Sequence, residues 1–181
     1  MNEVRASVLK ILITGPQGSG KTTQAKLLAE FLKVPFIGMG EILRTKAMAD
    51  DELGRRIKES LGKGELVDDE IVANFTKEEV DSKNSFVMDG YPRSLYQMEL
   101  FDPNFNKVFY LEIPEDQVLE RLLRRGRLDD SEDLIRQRLN LYHQMTEPLL
   151  ERYESQGILV NLDGAKSIDE IQKEIRERVN G

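Results

Sequence analysis

The chain has 181 residues, 39% of them hydrophobic and 33% charged, a formal net charge of -7 and no cysteine, which fits one compact domain with a core of its own. That composition excludes a disordered chain, the acidic balance argues against broad nucleic-acid binding, and the lack of cysteine excludes disulfides and cysteine-bound zinc. No secretory pattern opens the sequence and no apolar run could span a bilayer, so the expected compartment is the cytoplasm, with no membrane partner.

The first predicted element is a strand over Val8–Ile13, nearly continuously apolar as in a parallel sheet covered on both faces. A helix follows, with Ala25, Leu27, Leu28, Phe31 and Leu32 at helical spacing, and Val34-Pro35 ends it. Phe36-Ile37 adds a short strand. From Gly40 to Ser82 the pattern is helical, punctuated by Gly54 and by Lys63-Gly64, and reads as an excursion able to move. Further strands are expected at Ser85–Met88, Lys107–Ile113 and Gly157–Asn161, the last before a carboxy-terminal helix. Strands alternating with helices imply right-handed crossovers and an α/β fold: three layers around a doubly wound, five-stranded parallel sheet.

The segment Gly15-Pro16-Gln17-Gly18-Ser19-Gly20-Lys21-Thr22 satisfies G-x-x-x-x-G-K-[ST] between a buried strand and a helix, the context this phosphate-binding motif requires. Its glycines let backbone N–H groups converge on phosphate oxygens, and the helix amino terminus adds partial positive charge. Lys21 is expected to reach the terminal phosphates, and Thr22 or Thr23 to touch Mg²⁺ or its waters. Asp89, at the carboxyl end of an apolar strand, is the further metal candidate. The loop identifies triphosphate binding alone; GTPases, motor ATPases and small-molecule kinases share it, so the acceptor must be read elsewhere.

Three motifs in order, Gly15 to Gln24, Asp89-Gly90-Tyr91-Pro92-Arg93 and Arg127-Leu128-Asp129-Asp130, resemble the adenylate kinase family, and the similarity runs from about Leu9 to Asp163. The resemblance implies a Mg²⁺-dependent nucleoside monophosphate kinase converting ATP and AMP to two ADP. It implies that Gly90 and Arg93 meet the monophosphate and that Gln97 pairs with adenine. A planar guanidinium suits phosphate, and an amide both donates to and accepts from a base edge. UMP/CMP kinases carry Asn at the position of Gln97, which favours AMP. Val34 to Arg44 resembles the family's monophosphate-binding segment, with Arg44 as a second arginine; Gly38, Met39 and Glu41 depart from its pattern. Met39 stands where a hydroxyl lies near the acceptor base, and reads equally as a base contact or as core packing. Glu65, Leu66 and Val67 are carried over as the enclosure of that base.

Arg121 and Arg125 lie one helical turn apart, on one face, and Arg138 lies on the next helix. With Arg127 they match the arginines that surround the transferring phosphoryl group. Arg124 and Arg136 read instead as solvated. Lys166 falls where the family sets backbone against the donor adenine. Asp129 and Asp130 match family carboxylates that position arginines or close the lid, and His143, the single histidine, reads as structural.

The expected organisation is one domain over 1–181: core 1–37 and 83–181, monophosphate-binding excursion 38–82 and a minimal lid 125–130. Only Gly126 separates Arg125 from Arg127, a shorter lid than the family's short form, so weaker closure or help from a neighbouring subunit is expected. The partners are ATP and a nucleoside monophosphate, and the oligomer is a monomer or small homo-oligomer. Two rivals remain: a pyrimidine or broad-specificity monophosphate kinase, and a regulatory ATP-binding assembly factor.

Overall fold

The computed structural model describes residues 8–126 and 131–179. The chain runs β1 (Lys10–Thr14), α1 (Lys21–Leu32), β2 (Phe36–Gly38), α2 (Met39–Lys46), α3 (Glu52–Gly62), α4 (Asp69–Val80), β3 (Phe86–Asp89), α5 (Leu95–Leu100), β4 (Lys107–Glu112), α6 (Glu115–Arg125), α7 (Glu132–Leu141), a π-helical turn (Tyr142–Thr146), α8 (Glu147–Ser155), β5 (Leu159–Asp163) and α9 (Ile168–Val179). The strands form one parallel sheet in the order β2-β3-β1-β4-β5. Ile13 pairs with Asp89 and Gly38 pairs with the same Asp89, so the turns after β1, β2 and β3 open on one edge. In open parallel sheets ligands bind at that edge.

The alternation along β1 sorts the core into two layers. Leu12 faces the layer that holds Ile37, Met88, Val108 and Tyr153, while Ile11 and Ile13 face Ala25, Leu28, Ile171 and Ile175. A small third cluster of Val118, Leu122, Ile135 and Leu139 joins α6 to α7.

Every strand differs from the sequence expectation by a residue or two at one or both ends, and three departures from that expectation have a plain physical reason. The first strand begins at Lys10, because both neighbouring strands start their register at Lys10 and Ile11, which leaves Val8 half-exposed. The last strand begins at Leu159, since Gly157 takes a positive φ to close α8. Gly54 lies inside α3 and does not interrupt it. Asp51 caps that helix through the Gly54 N–H, at 2.6 Å, and a Cβ at Gly54 would lie 2.3 Å from the Ala49 carbonyl oxygen. The glycine is there for close approach.

A buried polar network ties the first helix to the last. Gln24 donates to the Ile168 carbonyl at 3.0 Å, and Gln172 donates to Gln24 Oε1 at 2.8 Å. Replacing Gln172 by Leu leaves the buried Gln24 oxygen unpaired, and is expected to lower unfolding free energy by about 1–3 kcal/mol; urea titration of both proteins checks it.

His143 joins three elements, with Nδ1 2.7 Å from Glu147 on α8 and Nε2 2.8 Å from Glu115 on α6. Desolvation lowers its pKa, but the hydrogen bonds and charges of Glu147 and Glu115 outweigh it, and the imidazole is held above its ordinary value. A raised folded pKa adds stability that is complete below the unfolded value, about 6.5, and disappears as pH climbs through the folded value. His143→Gln is therefore expected to be less stable than the parent at pH 6 and to match it at pH 9, by thermal unfolding at each pH.

Candidate active site

Strand β1 delivers the chain into a glycine turn, and α1 starts at Lys21 with Gly20 as its N-cap, at φ 89. No side chain caps α1 and its first turn holds no acidic residue. Each other described α-helix has an acidic first turn or a side-chain cap. The partial positive charge of the α1 N-terminus is thus offset by no capping side chain and no acidic first turn, which suits it to an anion. Gly15 permits the turn, since a Cβ there would lie 2.7 Å from the Leu111 carbonyl oxygen.

A cavity of about 530 Å³ opens over this turn. Gly15, Gln17, Gly18, Gly20, Lys21, Thr22 and Thr23 line one half, with Arg121 and Arg125 of α6. Arg44 of α2, Glu65, Leu66 and Val67 from the turn before α4, and Gly90, Arg93 and Gln97 around α5 line the other. Asp89 and Arg138 belong to the same lining. The fold therefore brings together residues from six separate stretches of sequence.

Hydrogen bonds set these groups in place. Lys21 Nζ donates to the Pro16 carbonyl at 3.1 Å. Thr22 Oγ1 donates to Asp89 Oδ2. Arg121 Nη1 donates to the carbonyls of Gly18, at 3.4 Å, and Gly164, at 3.2 Å, joining the glycine turn to the segment after β5. Arg138 Nη1 donates to Gln17 Oε1 at 2.8 Å. Arg93 Nε donates to the Gly90 carbonyl at 3.2 Å. Burial pulls the Arg93 guanidinium below its ordinary pKa, Asp89 opposes that pull and the charge of Arg138 adds to it. Two guanidiniums thus share a space that a bound anion would relax.

Gln97 is almost wholly buried, at 1% exposure. Its Oε1 accepts from the Arg93 N–H at 2.8 Å and its Nε2 donates to Asp69 Oδ1 at 2.8 Å. Ser94 Oγ accepts from its backbone N–H at 3.0 Å, and Tyr91 donates to its carbonyl at 2.6 Å.

Some expected contacts lie elsewhere. Met39 is fully buried in the core layer with Ile37 and Met88, not in the cavity wall, so its packing reading describes its position. Lys166 is exposed and pairs with Glu174 at 3.2 Å, away from the cavity. Pro16 offers its carbonyl to Lys21, and Ser19 is turned beneath the loop at 1% exposure; neither lines the cavity. Arg127, Asp129 and Asp130 fall outside the described residues. Arg136 is exposed and paired with Glu132 at 2.7 Å, as a solvated arginine should be.

Sequence reading missed several contributors. Tyr142 lines the cavity from the π-helical turn, a distortion frequent at functional sites. Thr146 lines it too, and its hydroxyl donates to the Arg93 carbonyl at 2.8 Å. Asp69 acts on Gln97 from another helix. None has a local signal, because each acts through a residue distant in sequence.

A profile described as adenylate kinase matches residues 13–158. The chain is 36% identical over 188 residues to an adenylate kinase of Trichodesmium erythraeum, covering 96% of this chain and 98% of that protein. It is 39% identical over 175 residues to one of Nocardia farcinica, covering 91% and 96%, and 34% identical over 208 residues to one of Methanosarcina barkeri, covering 93% and 97%. Similarity over nearly the whole length of each protein, in a parallel sheet whose central turn is a phosphate loop facing an arginine-lined recess, places this chain in the adenylate kinase family.

Proposed function

We propose that the chain transfers the γ-phosphoryl group of ATP to AMP, giving two ADP, in the cavity between α1 and α5. The observation that carries this reading is the continuity of that cavity. The uncapped α1 N-terminus lines one half, and Arg44, Arg93 and Gln97 line the other. Two anionic substrates can therefore lie end to end.

The donor phosphates rest on the backbone N–H groups of Gly15 to Thr23, with Lys21 at their far end. The AMP phosphate lies between Arg44 and Arg93, and its base enters the recess of Glu65, Leu66, Val67 and Gln97. One AMP phosphate oxygen attacks the γ-phosphorus in line; the new P–O bond forms as the bond to the β–γ bridging oxygen breaks, and ADP departs with that electron pair. The attacking oxygen is already anionic, so no base is needed. Catalysis consists of alignment and of neutralising charge on the moving phosphoryl group. Arg121, Arg125 and Arg138 supply that charge from the α6 and α7 side, and we assign Arg127 the same task from its place in the motif.

The residues fit a magnesium ion. Thr22 and Asp89 offer hard oxygen donors side by side, and no cluster of three or more His, Cys, Asp or Glu side chains suited to a metal occurs among the described residues. A single carboxylate suits an ion that keeps its waters and leans on substrate phosphates. When bound, magnesium neutralises the donor phosphates.

A nucleotide-switched assembly factor would have no use for a second, arginine-lined half. No described helix is long and apolar enough to cross a membrane, and we read the cytoplasm as the site of action, in keeping with the cysteine-free composition.

Lys21→Met is expected to lower kcat by about 10²–10³-fold or more with thermal unfolding unchanged, measured by ADP production from ATP and AMP. A panel of AMP, CMP, UMP and GMP under the same assay tests the acceptor. AMP is expected to lead in kcat/KM, and an enzyme that prefers a pyrimidine monophosphate would sink the reading.

A further inference from the structure

An amide side chain has two N–H donors on nitrogen and two lone pairs on oxygen. In Gln97 one of each is already taken, by Asp69 Oδ1 and by the Arg93 N–H, both at 2.8 Å. A carboxylate can only accept and a backbone N–H can only donate, so these two partners admit one orientation of the amide. Rotating it by half a turn would set oxygen against oxygen and N–H against N–H. What is left for the cavity is one N–H and one lone pair in a fixed order.

The order matters because the bases differ in it. Adenine carries an amino donor beside a ring-nitrogen acceptor, and cytosine repeats that pattern. Guanine and uracil put a carbonyl oxygen in place of the amine and an N–H beside it. A rotated Gln97 amide would suit the second pair of bases as well as the held amide suits the first.

We infer that Asp69, at the first turn of α4, is a positioning residue that sets acceptor selectivity by holding the Gln97 amide in the orientation that fits an amino-bearing base. It touches no substrate and acts through Gln97. The first turn of α4 suits a carboxylate, since the helix N-terminus favours negative charge there. Asp69 also sits directly after Asp68, whose own side chain caps α4 through the N–H groups of Glu70 and Ile71. The cap is therefore complete without Asp69, whose described hydrogen bond is the one to Gln97. This inference rests on the reading of Gln97 as the acceptor-base contact.

The test is Asp69→Asn, which keeps shape while allowing an amide to accept from or donate to Gln97. The expected result is a KM for AMP raised about tenfold, the scale of one charge-assisted hydrogen bond, with kcat nearly unchanged. Relative kcat/KM for GMP and UMP is expected to rise several-fold against AMP, while the CMP to AMP ratio stays constant. A loss of packing alone would move all four acceptors together. On a Gln97→Ala background the same substitution is expected to have no further effect on any ratio. Independently of turnover, the two Gln97 side-chain amide protons should give separated NMR signals in the parent that shift or merge in Asp69→Asn. Unchanged selectivity with unchanged amide signals overturns the inference, as does an equal loss on the Gln97→Ala background. A parent enzyme that phosphorylates GMP or UMP as readily as AMP overturns the acceptor reading itself, an outcome visible before any variant is made.

Discussion

The bare amino terminus of α1 is the constraint on which the rest depends. A helix start leaves several N–H groups without intrahelical partners, and proteins ordinarily cover them with a side chain or an acidic first turn. Here the turn out of β1 supplies neither. The surrounding fold shields that end and keeps it pointed at solvent-filled space: Leu111 crowds Gly15 from below, Arg121 clasps Gly18 from the side, and the Gln24 and Gln172 network pins the helix from behind. The Thr22 and Asp89 contact then ties the helix to the adjoining strand.

A second theme is the uneven distribution of charge. The chain is acidic overall, at -7, yet Arg44, Arg93, Arg121, Arg125 and Arg138 converge on one cavity. Local concentration of guanidinium groups within an acidic protein directs anions to one place instead of spreading them over the surface. Burial, first, and then the charge of Arg138 hold the Arg93 guanidinium below its ordinary pKa, against the pull of Asp89, so the same concentration of charge that suits an anion is felt by the arginines themselves.

Much of this was legible in the sequence because it is locally encoded. The phosphate loop is a contiguous pattern whose glycines and lysine have separate physical jobs, and the apolar strand before it fixed its context. The alternation of strand and helix gave the doubly wound sheet, with errors only at ends such as Val8 and Gly157, where pairing partners and a positive φ decide. Arg44, Arg93, Gln97 and Arg138 came from motif resemblance, and the cavity gathers them. Met39 was placed by position in a motif, which left base contact and core packing open, and position does not say which way a side chain turns: Met39 points into the core. Asp69, Tyr142 and Thr146 were invisible for a different reason. Their effect is defined by partners on other helices, and no periodicity carries that information.

The four-way restraint of Gln97 has a thermodynamic side. A free glutamine side chain loses about 1.5–2 kcal/mol of rotamer entropy when it is ordered. In this protein Ser94 and Tyr91 hold the Gln97 backbone, and Arg93 and Asp69 hold its amide and impose that loss during folding, ahead of any ligand. A recess prepared in this way can bind its ligand weakly enough to release product and still discriminate sharply. In the proposed role of Gln97, selectivity would reside in an orientation fixed beforehand and would not require tight binding.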